Sequence, residues 1–227
     1  MSIDIKPLNH KTLQKGIDTA VAVFEESERE GIALEFNASL GIEPDDTTVL
    51  AERNISEAQY YLGSENGAPA GTVGYYYIAG HEEDAWLGWF GVKPEFYGKG
   101  YGKILLAHAF NQAAQDGAKN MRLWTTAEPK HADACKLYER MGFKKEVYKP
   151  NAKDAGNMVL VFSKAIDPNA KHDVSWADNG YEIDCEPYEI PHMNKLYGLT
   201  PDPREGQVAP TTVTQQSKSL DHKGLHI

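Results

Sequence analysis

The 227-residue chain is long enough for one domain of roughly 150 residues plus an extension, and its 41% hydrophobic content can supply a core. A net charge of −10 leaves none of the basic footprint that nucleic-acid binding requires. Cys135 and Cys185 form neither a disulfide framework nor a metal-ligand spacing, and no apolar run approaches the length of a membrane span. The N-terminal residues lack an apolar leader segment, so the expectation is a cytoplasmic protein with reduced thiols, no metal and no membrane partner.

In chain order, Ile3–Pro7 reads as a first strand. Asn9 is placed to cap a helix starting near His10, with Leu13, Ile17, Val21 and Phe24 on one face and an end near Gly31. Residues 31–55 read as a polar loop with a short second helix and a turn at Pro44-Asp45-Asp46. Ala58–Leu62 and Gly71–Ile78 are strands joined through a turn at Ser64-Glu65-Asn66-Gly67. An acidic turn, His81 to Asp84, leads into a strand over Trp86–Val92. A helix over Gly102–Gln115 carries Leu105, Leu106, Ala109, Phe110 and Ala113, and Gly117 stops it. Asn120–Thr125 is a strand. Pro129 precedes a helix with the stripe Ala134, Leu137, Tyr138 and Met141, closed by Gly142. Phe143–Tyr148 and Met158–Ser163 read as a last antiparallel pair. The order β-α-α-β-β-β-α-β-α-β-β predicts a mixed sheet with helices on its faces.

After Ala165 six prolines fall between Asp167 and Pro210 and helical periodicity is lost, so residues 1–165 form the domain and 166–227 an extension. Trp176, Tyr181, Tyr188 and Tyr197 suggest packing to about residue 198, either on the chain's own domain or over the edge of a homodimer; the polar remainder reads as disordered.

The chemistry concentrates between Trp86 and Leu106. An apolar strand runs into a turn with alternating Gly98, Gly100 and Gly102, and the turn opens an amphipathic helix. Without side chains at those positions the backbone amides can approach one anion. The helix N-terminus and the charges of Lys99 and Lys103 favour a diphosphate there. A Walker loop fails twice, because Tyr97 stands at its first glycine and Ile104 follows its lysine. The dinucleotide fingerprint Gly-x-Gly-x-x-Gly fails at Lys103 or at Leu105, depending on where it starts.

Two segments carry a resemblance. Val92-Lys93-Pro94 followed by Tyr97-Gly98-Lys99-Gly100-Tyr101-Gly102 resembles the cofactor motif Arg/Gln-x-x-Gly-x-Gly/Ala of the GNAT acyltransferases, with Tyr97 in place of Arg or Gln. Residues 131–143, with His131, Ala134, Leu137, Tyr138, Gly142 and Phe143, resemble their Asn-x-x-Ala-x-x-Leu-Tyr-x-x-x-Gly-Phe signature, with His131 in place of Asn. The resemblance spans roughly residues 3–165. It implies the GNAT α+β fold, a mixed and mostly antiparallel sheet flanked by helices.

The resemblance also implies an N-acetyltransferase that moves the acetyl group of acetyl-CoA directly to an amine. Phe90, Gly91 and Val92 would pair with the pantetheine arm, the Val92 N–H polarising the thioester carbonyl. Backbone amides of Gly98, Lys99, Gly100, Tyr101, Gly102 and Lys103 would hold the pyrophosphate, and His131 would contact the cofactor. Tyr138, which by helical spacing alone reads as core, becomes the candidate acid for the departing thiolate. Glu83 and Asp84 are the candidate bases, with Glu82, Glu35, Glu52 or a water chain as alternatives. Tyr75, Tyr76, Tyr77, Trp86 and Trp89 are candidates for an acceptor pocket, although strand alternation sends half of such residues to the core. Cys135 has no activating neighbour in sequence, which disfavours a cysteine intermediate. The acceptor is expected to be a small-molecule amine or amino acid; the alternatives are a protein or peptide amine, or an acyl-CoA sensor without turnover.

Overall fold

The computed structural model describes residues 2–42, 50, 54–127, 131–148 and 159–176. The turn at Pro44, the alternative base Glu52, Pro129, Cys185 and the aromatic positions Tyr181, Tyr188 and Tyr197 lie outside them. The elements are β1 (Asp4–Pro7), α1 (Leu13–Phe24), α2 (Arg29–Ala38), β2 (Ile55–Glu65), β3 (Ala68–Ile78), β4 (Asp84–Val92), α3 (Tyr101–Gln115), β5 (Asn120–Thr126), α4 (Ala132–Arg140), β6 (Lys144–Tyr148) and β7 (Val159–Ala165). This is the expected order, and the strands form one sheet in the sequence β1-β2-β3-β4-β5-β7-β6. The pairs β1–β2, β2–β3 and β3–β4 are antiparallel, and β4–β5 is parallel.

The chain divides into two compact units. The first holds Met1–Leu123 and Ser163–Val174. In it, β3 alternates between two faces, as strand geometry dictates. Tyr75 and Tyr77 on one face donate their hydroxyls to Asp116 just past α3, and a Cβ at Gly71 would press on Leu105 of α3. The other face receives α1 and α2. There Gly74 lets the Tyr60 ring lie flat across the strand; a Cβ would meet that ring at 2.1 Å.

The β2–β3 hairpin turns through Asn66 and Gly67, both at positive φ (51° and 82°), which suits the right-handed twist of the strands. The first helix stops sooner than its spacing suggests. Glu25 takes φ 95°, a single 3-10 turn follows, and α2 starts at Arg29 rather than α1 running on to Gly31. Two contacts account for the break. Phe24 turns edge-on to Trp89 at 5.2 Å, and Arg29 reaches back to Asp18 and Glu26.

A buried ion pair organises the far side of this unit. Arg122 Nε lies 2.7 Å from Asp84, both side chains 2% exposed. Arg122 Nη1 also donates to Ser163 Oγ at 2.7 Å and to the Val174 carbonyl at 2.9 Å. Asn120 Nδ2 donates to Asp84, and Asn120 Oδ1 lies 2.7 Å from His172 Nε2. Residues 166–174 are thereby tied to the start of β5.

In the second unit, Tyr138 of α4 packs against Phe143 and Phe162, with ring centroids 5.8 and 5.3 Å away. Ser175 Oγ and the Trp176 amide both donate to Glu146, and the Trp176 side chain is buried.

Candidate active site

The site is built from β4, the turn after it and the start of α3. Along β4, Gly88 faces Gly74 of β3, whereas Gly91 faces Thr72. One β3 residue, Val73, therefore stands opposite two β4 residues, Trp89 and Phe90: a β-bulge. Trp89 carries its strain, a tryptophan at φ 41°. Its carbonyl accepts the Thr72 hydroxyl at 2.8 Å, and its indole Nε1 donates to Glu35 at 2.8 Å.

The bulge decides where the later amides point. Lys93 N–H donates to the Ala70 carbonyl at 2.8 Å, so those two form a hydrogen-bonded pair and the neighbouring Val92–Gly71 pair is the non-hydrogen-bonded kind. The Val92 N–H is consequently aimed away from β3. In an unbroken ladder Val92 would face Ala70 and its N–H would be spent on β3; the one-residue shift reverses it. On the other flank, among the described residues, β4 pairs with β5 through Asp84–Trp86 and Asn120–Arg122. Among the described residues, no β5 residue pairs with β4 beyond Trp86.

Beyond Val92 the chain makes one 3-10 turn, Pro94–Phe96, and then the glycine loop. Gly98 and Gly100 are left-handed (φ 76° and 77°), and a Cβ at either would meet no atom within 4 Å. The glycines serve conformation, and they leave the space above the loop clear. Gly102 has no positive φ and lies within α3, so the third glycine is not demanded by the turn. The first loop-to-helix bond is Ile104 N–H to the Gly100 carbonyl; the Tyr101, Gly102 and Lys103 amides precede it as donors at the positive end of the helix. A diphosphate fits this cradle.

Two side chains around the loop are drawn to one carboxylate. Lys99 Nζ is 2.7 Å from Glu65, and the Tyr101 hydroxyl donates to the same carboxylate. The Tyr101 ring is buried against Ala70 and Phe96, so only its amide faces the cradle. Glu65 was invisible as a site residue because it belongs to another hairpin. Its bonds from Lys99 and Tyr101 hold its carboxyl below the usual range. Tyr97, at the first motif position, is 66% exposed, and Lys103 is also exposed.

The surroundings of the two candidate bases differ. Asp84 is committed to Arg122 and Asn120 in a buried cluster. Glu83 is exposed in the turn just before β4, and five residues of strand put Asp84 roughly 17 Å from Trp89. The proposed acceptor-pocket aromatics are core instead. Tyr75, Tyr76, Tyr77, Trp86 and Trp89 are all buried; Tyr76 stacks on Trp86, and the others bond to Asp116 or Glu35. Glu35 is itself buried, hydrogen-bonded by Trp89 and Tyr60.

In the second unit, His131 stands at the N-cap of α4 and is half-buried. Tyr138 is 5% exposed, and burial raises its hydroxyl pKa above the ordinary range. Cys135 is buried as well, its thiol pushed up to about 11 by desolvation, the opposite of an activated nucleophile.

A mixed sheet interrupted by a bulge, with an outward amide beside a glycine cradle at a helix start, defines an acyl-CoA-dependent transferase fold. Residues 20–143 match the model of the acetyltransferase (GNAT) family. The chain belongs to that family and is an enzyme that draws its acyl group from acyl-CoA. Solved structures agree in fold. A GNAT-family protein from Desulfovibrio desulfuricans shares 18% identity at a TM-score of 0.58, covering 73% of this chain and 99% of its own. The PaiA N-acetyltransferase of Thermoplasma acidophilum, in complex with coenzyme A, shares 20% at 0.53 with the same coverages, 73% and 99%. The ribosomal-protein-S18-alanine N-acetyltransferase of Escherichia coli shares 18% at 0.50, over 75% of this chain and 97% of that one. No curated protein matches the chain in sequence. No helix among the described residues is long and apolar enough to cross a membrane.

Proposed function

We propose that the chain transfers the acetyl group of acetyl-CoA directly to a primary amine of a small molecule or amino acid. The observation that carries this reading is the outward Val92 N–H, set by the bulge and lying on the same strand that leads into the Gly98–Gly100 cradle. The amides of Gly98 to Lys103 hold the pyrophosphate, and the edge from Phe90 to Val92 receives the pantetheine arm. The amine attacks the thioester carbon, the Val92 amide stabilises the oxyanion, and the C–S bond breaks as the new C–N bond completes. Tyr138 supplies the proton to the thiolate, His131 contacts the cofactor, and the amine's proton leaves to water.

The inert Cys135 supports direct transfer over a cysteine intermediate. The net charge of −10 suits a cationic acceptor, and a cytoplasmic location fits the two unpatterned cysteines. The transferase core is residues 1–165, and residues 166–227 are its extension.

The test is acetyl-CoA binding by calorimetry, followed by thiol release with a panel of amines, amino acids and peptide N-termini. Binding heat and release with free amines support the reading. Release with peptides alone moves the acceptor to protein; binding without release makes the chain a sensor. No heat with any acyl-CoA sinks the assignment.

A further inference from the structure

Glu35 lies on α2, outside both sequence motifs, yet it ends at the bulge. Its Oε2 accepts two hydrogen bonds, from Trp89 Nε1 at 2.8 Å and from the Tyr60 hydroxyl. Glu35 is 1% exposed and the Trp89 side chain is fully buried. The other members of the cluster are packed too: Phe24 edge-on to Trp89, and Phe36 tilted on Tyr60 at 4.5 Å. Trp89 adopts a left-handed backbone that a bulky side chain keeps only when its surroundings over-determine it. Thr72 holds its carbonyl and Glu35 holds its indole, so the residue is fixed at both ends.

We propose that Glu35 is a positioning residue for acyl transfer: by clamping the Trp89 indole it keeps the β4 bulge in place and so keeps the Val92 N–H turned toward the acyl carbonyl. This rests on the acyl-CoA reading above. Glu35 touches neither carbonyl nor acceptor, since it is sealed from solvent. If the clamp is released, Trp89 can relax toward an ordinary extended conformation. The two-for-one pairing then slips by a residue, and Val92 returns its amide to β3. The cradle at Gly98 and Gly100 lies beyond the bulge and does not depend on it for its left-handed turns.

The binding and infrared arms of the test need no acceptor; kcat is read with whichever amine releases thiol. Acetyl-CoA labelled with 13C at the acetyl carbonyl is bound to the full chain; its affinity is read by calorimetry and its C=O stretch by difference infrared spectroscopy. In the parent protein the stretch is expected to move to lower wavenumber on binding, as a hydrogen bond polarises the carbonyl. Glu35→Leu is expected to lose most of that movement while its Kd stays within about threefold, and to lower kcat about 100-fold, the scale of a misplaced catalytic group. Glu35→Gln, whose amide oxygen can accept both donors, is expected to keep the movement and an unchanged pH profile. Trp89→Phe keeps an aromatic ring, smaller than the indole and without its N–H, and should behave like Glu35→Leu; it decides the matter if the leucine variant does not fold.

An unshifted parent spectrum despite binding overturns the inference, as does a shift that survives in both Glu35→Leu and Trp89→Phe; the acyl-CoA reading stands in either case. Loss of the shift in Glu35→Gln as well overturns the hydrogen-bond clamp. Absence of binding in the parent overturns the reading and the inference together.

Discussion

Gly100 shows how one residue serves two physical needs. Its φ of 77° is costly for any residue with a Cβ, and the space above it is empty of protein. Gly100→Ala is expected to lose about 1 kcal/mol of stability and to weaken acetyl-CoA binding at least roughly tenfold, because the new methyl stands where the phosphates approach. Gly117→Ala is the control, since Gly117 has φ 94° just past the other end of α3. It should lose stability without losing affinity, and equal affinity loss in both variants would remove the cradle. Tyr138 carries a different dependence. Burial raises its pKa, so the protonated form needed by an acid persists to higher pH than for a free tyrosine near 10. Tyr138→Phe is expected to lower kcat by about 100-fold at every pH below that range, with a small change in KM. A kcat equal to the parent's would return Tyr138 to the core.

At the scale of elements, the Asp84–Arg122 pair joins β4 to β5 where three residues of each strand pair. Removing one partner strands a buried charge, which costs about 3–5 kcal/mol. Asp84→Asn is therefore expected to lower the urea midpoint strongly, yet to leave kcat per folded molecule within about twofold, as befits a residue remote from the reacting atoms. A normal midpoint with a collapsed kcat would restore Asp84 as the base. Sequence reasoning placed these strands correctly but gave no sign of the partner this carboxylate holds. Adjacent acidic residues at a turn look alike in a sequence, whereas Arg122 lies 38 positions away and only folding brings it to one of them. The bulge was partly legible: Gly88 and Gly91 flank Trp89 and Phe90, and glycines inside a strand mark bulges or close backbone approach. The early end of α1 was not, because Phe24 continues the helical stripe and the break depends on where Trp89 receives it.

For the whole molecule, stability couples to pH through groups buried away from the site. His108 of α3 sits edge-on to Tyr61 at 4.6 Å, and burial lowers its pKa below the ordinary imidazole value. The unfolded chain then binds the extra proton first. His108 thus lends nothing above about pH 6.5 and weakens the fold as pH drops from there toward its folded pKa. Urea midpoints at pH 7.5 and 5.5 are expected to fall less in His108→Gln than in the parent; an identical fall would mean that His108 titrates alike in both states. What the residues alone determined was the order of elements, the glycine cradle, the strand that leads to it and the family signatures. Each is a local pattern, carried by spacing within some 15 residues and by the conformational freedom of glycine. Tertiary structure decided which groups those patterns face. It tied Lys99 to Glu65, gave Asp84 to Arg122, buried the candidate pocket aromatics and set Glu35 against Trp89. Those are pairings across 34, 38 and 54 positions, and no local period encodes them.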